Sequence, residues 1–382
     1  MEAILILVAA GVSLAIPVGL IVGVVAWSSH VGKRRAAAWA RLAQRLGLTY
    51  GNGTVYGQLE GQAVRLVTEV RGSGKSRHTV TVVSSHVFPA FDLGLAVSRH
   101  GFLAAIGQLM GATDIEVGDP EFDRAFVVRA DEPERARIVL DRELRQVLGQ
   151  VAGTGFPFRI SDGGFSIERR GASEDERWLE WSLVTAGRVA RHMTEARDGI
   201  PVAAPLRQHR EAWAAYAEAA GLRGMNCPMC MWGRMEGAAI SAYAVRVGSF
   251  QYALEVLVRF DSPLGVGLFV RPSSTMDAIG SLFGGQDETL ADPAFDKAFL
   301  VKIAQRDRVS RILDAEARRR ILEVQGQVGA VQIRDDGVTV RAAQLDPDPT
   351  LVPRLVARAR LLAARIAENA AAVDPATTGP YR

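Results

Sequence analysis

Apolar and polar residues alternate over short stretches through most of the chain, a pattern that predicts β-strands. In the clearest stretch, every second residue is apolar: Phe250, Tyr252, Leu254, Val256, Val258 and Phe260. Asp162-Gly163 and Asp335-Asp336-Gly337 each separate two apolar runs, and an Asp-Gly step in that position predicts a β-hairpin turn. Antiparallel strands are therefore the main element that the pattern predicts.

Stretches with a helical period are fewer and stand apart from the strands. The first, 36–48, predicts an amphipathic helix that ends at Gly47. Another predicted helix begins at the apparent capping box Ser173–Glu176 and carries one apolar stripe, formed by Leu179, Leu183, Ala186, Ala190 and Met193. Further helices are predicted at 102–110, 140–151, 276–283 and 350–371. Strands with segregated helices indicate an α+β fold.

One motif occurs twice and organises the chain. Residues 118–129, which contain Asp119, Phe122, Asp123 and Phe126, return 173 residues later as 291–302. The spacing also relates Leu140-Asp141 to Leu313-Asp314, and Ile160 and Asp162 to Ile333 and Asp335. We therefore predict two tandem copies of one antiparallel-sheet-plus-helices domain, related by pseudo-twofold symmetry. The copies take 33–197 and 207–371, joined by a linker at 198–206 and followed by a disordered tail at 372–382.

The second half of each copy carries a spaced pattern that resembles a known class of proteins. Its members are Phe122, Phe126, Val128, Leu140-Asp141, Leu148, Ile160 and Asp162. This pattern is similar to uncharacterised membrane-anchored bacterial proteins that are classed as domains of unknown function. The resemblance implies a membrane anchor and carries over no catalytic residue.

The N-terminal region predicts that anchor independently. Residues 3–27 contain no charge, and a helix of this length extends roughly 37 Å, enough to cross a hydrocarbon core of about 30 Å. A cleaved signal peptide is the alternative, but cations follow the apolar run instead of preceding it. We therefore predict a transmembrane segment and juxtamembrane start at 1–32, in the bacterial cytoplasmic membrane. The positive-inside rule places the rest of the chain in the cytoplasm.

The net charge of +3 is concentrated beside this segment. Residues 1–59 hold five cations against the single acid Glu2, which leaves a net charge of −1 for the remainder. A nearly neutral body argues against a nucleic-acid partner. The five cations are predicted to lie at the membrane surface: Lys33, Arg34, Arg35, Arg41 and Arg45. The alternative is that they form only the solvated face of the first helix.

Two further motifs suggest chemistry. Gly72–Ser76 resembles a phosphate-binding loop, but Glu69 stands where the first glycine belongs, so a hairpin turn is the better interpretation. Cys227 and Cys230, the only cysteines, have the spacing of a zinc half-site or a redox pair. With no second cysteine pair, two buried thiols are the favoured interpretation, and no cofactor is expected.

The repeated acids Asp119, Asp123, Asp292 and Asp296 could be catalytic carboxylates, but their presence in both copies favours a role in the fold. No catalytic constellation is evident. The sequence thus favours a single-pass membrane protein that displays a duplicated, non-catalytic interaction module. Its expected partners are the lipid bilayer and another protein. The alternatives are a ligand- or lipid-sensing module with a site between the copies, and an enzyme acting through Cys227 and Cys230.

Overall fold

The computed structural model describes residues 32–100, 113–247, 251–273, 288–345 and 348–373. The predicted transmembrane segment, the predicted helices at 102–110 and 276–283, and residues 374–382 of the tail lie outside these ranges. Within them, no helix is both long and apolar enough to cross a membrane. The chain divides into two compact units, of which the first ends at Arg197 and the second begins at Asp198.

The first unit contains one antiparallel sheet with the strand order β1-β2-β3-β4-β9-β8-β5-β7-β6. The strands are β1 (Thr49–Gly51), β2 (Thr54–Leu59), β3 (Gln62–Arg71), β4 (His78–His86), β5 (Ala96–Arg99), β6 (Thr113–Ile115), β7 (Phe126–Ala130), β8 (Phe158–Ser161) and β9 (Gly164–Arg170). The helices are α1 (32–46), α2 (Pro120–Ala125), α3 (Pro133–Val139), α4 (Arg142–Gly153) and α5 (Glu176–Ala196).

The second unit contains a sheet with the order β10-β11-β12-β13-β17-β16-β14-β15. The strands are β10 (Arg223–Asn226), β11 (Met229–Met235), β12 (Ala238–Arg246), β13 (Tyr252–Arg259), β14 (Phe269–Pro272), β15 (Phe299–Lys302), β16 (Gly329–Arg334) and β17 (Gly337–Ala342). The helices are α6 (Arg210–Ala219), α7 (Pro293–Ala298), α8 (Val309–Ile312), α9 (Ala315–Val328) and α10 (Leu351–Val373).

The two sheets have the same connectivity. Strands β1 to β4 and β10 to β13 form matching meanders, and each meander pairs with the second strand of a later hairpin, β9 or β17. In the described residues, the first sheet has one additional edge strand, β6. The predicted α+β class is thus confirmed, with two antiparallel sheets of one strand order. The pseudo-twofold relation between the copies stays a prediction.

A long helix covers one face of each sheet, as the apolar stripes predict. In α5 the five stripe residues are all buried, and α5 packs against β2, β3, β4 and β9. In α10 the buried side chains include Leu355, Leu362 and Ile366, and this helix packs against β12, β13 and β17. Each core therefore lies between the long helix and its own sheet.

Both predicted hairpin turns at Asp-Gly are confirmed. Ser161 pairs with Gly164 in the β8–β9 hairpin, and Arg334 pairs with Gly337 in the β16–β17 hairpin. The predicted start of α5 is wrong by two residues. Asp175, and not Ser173, is the N-cap, because its carboxylate accepts the amide of Trp178 at 3.2 Å. The Ser173…Glu176 pattern indicated a capping box, but the carboxylate of Asp175 caps the helix instead.

The segment predicted as a linker, 198–206, is folded into the second unit. A 3-10 helix spans Ala204–His209, and Val202, Ala203 and Leu206 are buried in that unit's core. Their apolar side chains explain the difference, because a solvated linker would leave them in water.

Candidate functional site

The repeated aspartates Asp119 and Asp292 cap the N-termini of two short helices, α2 and α7. Each carboxylate accepts an amide of its own helix, from Phe122 or Phe295, at 3.2 Å. Each also accepts a hydrogen bond from an arginine of the second helix after its own: Nε of Arg145, on α4, lies 3.1 Å from Asp119 Oδ2, and Nε of Arg318, on α9, lies 2.9 Å from Asp292 Oδ2. The two sites are thus built alike, and their acceptor oxygens are engaged within the fold.

These contacts lower the pKa of both carboxyl groups, but the contact with the largest effect differs between the two. For Asp119 the amide of Phe122 is the largest cause and Arg145 adds to it. For Asp292 the guanidinium of Arg318 is the largest cause, followed by the amide of Phe295. A general acid or base working near neutral pH needs a pKa moved the other way, so the geometry favours the structural role.

The second pair of repeated acids, Asp123 and Asp296, folds the turn before each helix. Asp123 accepts the amides of Val117, Gly118 and Asp119 at 2.9–3.1 Å. Asp296 accepts the equivalent amides of Leu290 and Asp292 at 3.0 and 3.2 Å. A carboxylate with two or three backbone partners fixes a loop. It has little freedom left to bind a substrate.

Asp162 and Asp335, at the hairpin turns, hold a distant loop in each unit. Asp162 accepts the amides of Leu93, Gly94 and Leu95 at 2.9–3.3 Å. Asp335 accepts those of Gly267 and Leu268 at 2.8 and 2.6 Å. In the first unit, burial raises the pKa of Asp162 from 3.8 to about 6, with a contribution from the charge of Asp92, against the lowering effect of the three amides.

This raised pKa predicts a pH dependence of stability. Because the folded state disfavours the Asp162 carboxylate, its stabilising contribution is complete below pH 3.8 and is lost as the pH rises through about 6. We expect the free energy of unfolding of the first unit to be about 1 kcal/mol higher at pH 5 than at pH 7. Urea denaturation of the wild type and of Asp162→Asn measures this, and only the wild type should show the difference. An identical pH slope in both proteins would contradict the assignment.

The basic segment predicted to lie at the membrane surface forms ion pairs with α5. Arg41 and Arg45 lie 2.8 and 2.7 Å from the carboxylate of Glu176, and Arg45 also reaches Glu180 at 3.1 Å. These arginines lower the pKa of Glu176, Arg45 being the larger cause. Arg34 lies 3.6 Å from Glu174.

Two cations of the same segment are placed differently. The guanidinium of Arg35 lies 5.7 Å from the ring centroid of Trp39, and Lys33 is exposed. Arg41 and Arg45 thus hold α1 to α5, and Arg34 pairs with the segment just before α5, while Lys33 and Arg35 form no carboxylate pair among the described residues. Membrane contact by the five cations stays a prediction.

The Gly/Ser motif Gly72–Ser76 is a hairpin tip between β3 and β4. Residues Gly74–Ser76 form a 3-10 turn, and the hydroxyl of Ser76 donates to the carbonyl of Ser73 at 2.8 Å. Gly72 has φ +77°, and a Cβ there would lie 2.6 Å from the Ser76 carbonyl oxygen. No α-helix follows the motif, so the structure agrees with a turn and lacks the helix N-terminus of a phosphate loop.

Cys227 and Cys230 lie at the turn between β10 and β11. Asn226 pairs with Met229 and Met225 with Cys230, so Cys227 and Pro228 are the two residues of the turn. Both thiols are buried, with 0% and 2% of the residue exposed, and they form no disulfide. In the described ranges, no group of three or more His, Cys, Asp and Glu side chains could hold a metal ion. Met225 is the cross-strand neighbour of Cys230.

A groove of about 520 Å³ lies beside this turn, between α6 and the strands β10 and β11. Its apolar lining consists of Trp213, Ala214, Ala217, Leu222, Met225, Met229, Cys230 and Met231. Its polar lining consists of Asp198, Arg210, Glu218 and Asn226. Gly224, Met225 and Asn226 of β10 line the groove. Because β10 is the first strand in the sheet order, no other described strand of this unit covers one of its edges.

Sequence reasoning found the cysteines but not the groove. The available signal was a departure from the repeat: the second copy has Cys227-Pro228 at this turn, where the first has Asn52-Gly53 between β1 and β2. Three methionines, Met225, Met229 and Met231, surround that turn and have no counterpart in the first copy.

No protein-family model, curated protein sequence or solved structure significantly matches the chain. The resemblance to membrane-anchored bacterial proteins therefore stays a prediction.

Proposed function

We propose that the chain is a single-pass protein of the bacterial cytoplasmic membrane that presents two α+β units to the cytoplasm as a non-catalytic interaction module. We further propose that the groove beside β10 receives an extended segment of a protein partner. The groove is the observation that carries this proposal, since it combines an apolar lining with an adjacent open strand edge.

The recognition mode follows from that combination. An extended peptide can add to a sheet edge through main-chain hydrogen bonds, and pockets beside the edge then select its side chains. Met225 is half-buried and offers a flexible, polarisable surface that suits an aliphatic or aromatic side chain, while Met229 and Met231 are buried in the core behind it. Arg210, Asp198 and Glu218 are exposed at the groove and can pair with charges of either sign.

The non-catalytic character is supported by what the repeated acids do. Asp119, Asp123, Asp292 and Asp296 bind backbone amides, and two of them also bind arginines. The anchor is supported by the uncharged run at 3–27 and by the cations that follow it.

A small apolar ligand or a lipid is the second candidate for the groove. Its volume of about 520 Å³ falls within the roughly 300–1,000 Å³ of ligand pockets, and its lining combines apolar and polar groups in similar measure. Zinc or redox chemistry at Cys227 and Cys230 stays an alternative, and the metal content of the purified chain would test its zinc version.

Site-specific photo-crosslinking in cells tests the peptide groove. Ala214 and Ala215 are neighbouring exposed residues of α6, and only Ala214 lines the groove. With a photoreactive amino acid at 214, we expect one cytoplasmic protein in a covalent adduct, at least about tenfold above the level obtained at 215. Equal adducts at both positions, or a lipid or small molecule as the only adduct, would contradict the proposal.

A further inference from the structure

Three segments of the first unit meet at the end where α1 begins. Arg34 lies 3.6 Å from Glu174, and Nε1 of Trp39 donates to the Ser173 carbonyl at 3.1 Å. The same segment, 171–174, is tied to β4, because the amide of Gly171 donates to the Thr79 carbonyl at 2.8 Å. The start of α1, the segment 171–174 and the tip of the β3–β4 hairpin therefore share one end of the unit.

This end carries more cations than acids. The acids there are engaged: Glu69 and Glu168 with Arg71, Glu174 with Arg34, and Asp175 with Arg169. Lys33, Arg77 and Arg170 are exposed and have no carboxylate partner among the described residues. His78 is exposed as well, and the sequence places Lys75 at the hairpin tip. This end of the unit thus carries an excess of positive charge on side chains that are accessible to solvent.

The chain before α1 limits how far this end can lie from a bilayer. Trp27 ends the apolar run, and only residues 28–31 separate it from residue 32, where α1 begins. The five steps along the chain from Trp27 to residue 32 extend at most about 18 Å. If the run spans the membrane, this end of the first unit lies within that reach of the headgroups. The opposite end of β4, a strand of nine residues, is roughly 30 Å farther along the sheet.

We propose that this end is a second membrane contact, in which the hairpin tip 72–77 and Arg170 bind the headgroups of an anionic lipid bilayer. The proposal rests on the anchor in the proposed function and adds a surface to it. Cations near an anionic leaflet are attracted within a Debye length of about 8 Å. The Gly-Ser-Gly tip has no bulky side chain to hinder a close approach. The contact would hold the first unit in one orientation, with the hairpin tip toward the membrane.

Fluorescence quenching in nanodiscs tests this contact with the full chain. A fluorophore is attached through an unnatural amino acid at Ser73, in the hairpin tip, or at Phe88, which is 81% exposed and follows the far end of β4. The discs carry a headgroup-linked quencher and either zwitterionic lipid alone or a mixture with phosphatidylglycerol. In the anionic discs we expect quenching at Ser73 to be roughly threefold stronger than at Phe88.

Charge-reversed variants separate attraction from mere proximity. We expect Arg77→Glu combined with Arg170→Glu to remove most of the difference between Ser73 and Phe88. The matched control, Arg65→Glu combined with Arg188→Glu, makes the same charge change at two exposed residues and should preserve it.

Two results would contradict the proposed membrane contact without contradicting the anchor. One is equal quenching at both labels, and the other is the same difference between the labels in purely zwitterionic discs. A chain that does not stay with the discs would overturn the anchor, and this contact with it. Adducts at Ala214 would be unaffected by any of these outcomes, so the groove is judged separately.

Discussion

Replacing Arg135 with methionine is expected to lower the free energy of unfolding of the first unit by about 3–5 kcal/mol. The guanidinium Nη2 lies 2.5 Å from Asp92 Oδ1, and only 3% and 5% of the two side chains are exposed. Methionine fills much of the same volume but leaves the Asp92 carboxylate buried without its cation. The loss reflects that isolated charge and does not measure what the intact pair contributes.

Urea denaturation followed by hydrogen exchange measures the loss and assigns it to the first unit. Arg137→Met is the matched control, because Arg137 lies on the same helix and pairs with Glu134, yet these side chains are 39% and 86% exposed. The control should cost about 1 kcal/mol or less. Adding Asp92→Leu to Arg135→Met should recover much of the stability. Equal losses for the two arginines would refute the argument from burial.

Phe295→Ala is expected to destabilise the second unit by about 3–5 kcal/mol. Phe295 is the buried residue of α7 and is completely inaccessible to solvent, and its ring stacks on Phe299 at 5.0 Å between centroids. Truncation removes this contact and leaves a cavity that the short helix cannot fill by moving, because Asp292 and Asp296 hold it at both ends of its first turn.

Phe122 is the counterpart of Phe295 in the first unit, and Phe122→Ala tests whether equivalent residues of the two copies contribute equally to stability. Phe122 is 5% exposed and its ring lies 4.4 Å from that of Phe126. We expect a loss of similar size, confined to the first unit. Phe88→Ala, at the exposed loop residue, should change stability by less than about 0.5 kcal/mol. A loss at Phe88 as large as that at Phe295 would contradict the assignment of the core.

Much of the fold could be predicted from the sequence, because its signals are local. Alternation located β13, the Asp turns located two hairpins, and the apolar stripe located the buried face of α5. The repeat was informative for the same reason. Residues that fold one turn of one helix, such as Asp119 and Phe122, keep their spacing when the unit is duplicated.

The remaining features depend on pairings between distant residues, which periodicity does not encode. Arg45 binds Glu176, and Asp162 binds the amides of a loop near Gly94, but neither partner follows from its own neighbours in the sequence. The groove is a space between elements and leaves no pattern of its own. Leu93 and Leu95 are apolar like strand residues, but their amides donate to Asp162, and the strand β5 begins only at Ala96.

The pairing of β4 with β9 has a consequence for synthesis on the ribosome. β4 ends at His86 and β9 begins at Gly164, so at about 5–20 residues per second roughly 4–16 s pass between them. Throughout that interval the nascent meander β1–β4 has an unpaired edge along β4, and such an edge invites association with neighbouring chains. The same wait recurs between β13 and β17. Slower elongation between the two strands of either pair would lengthen this exposure.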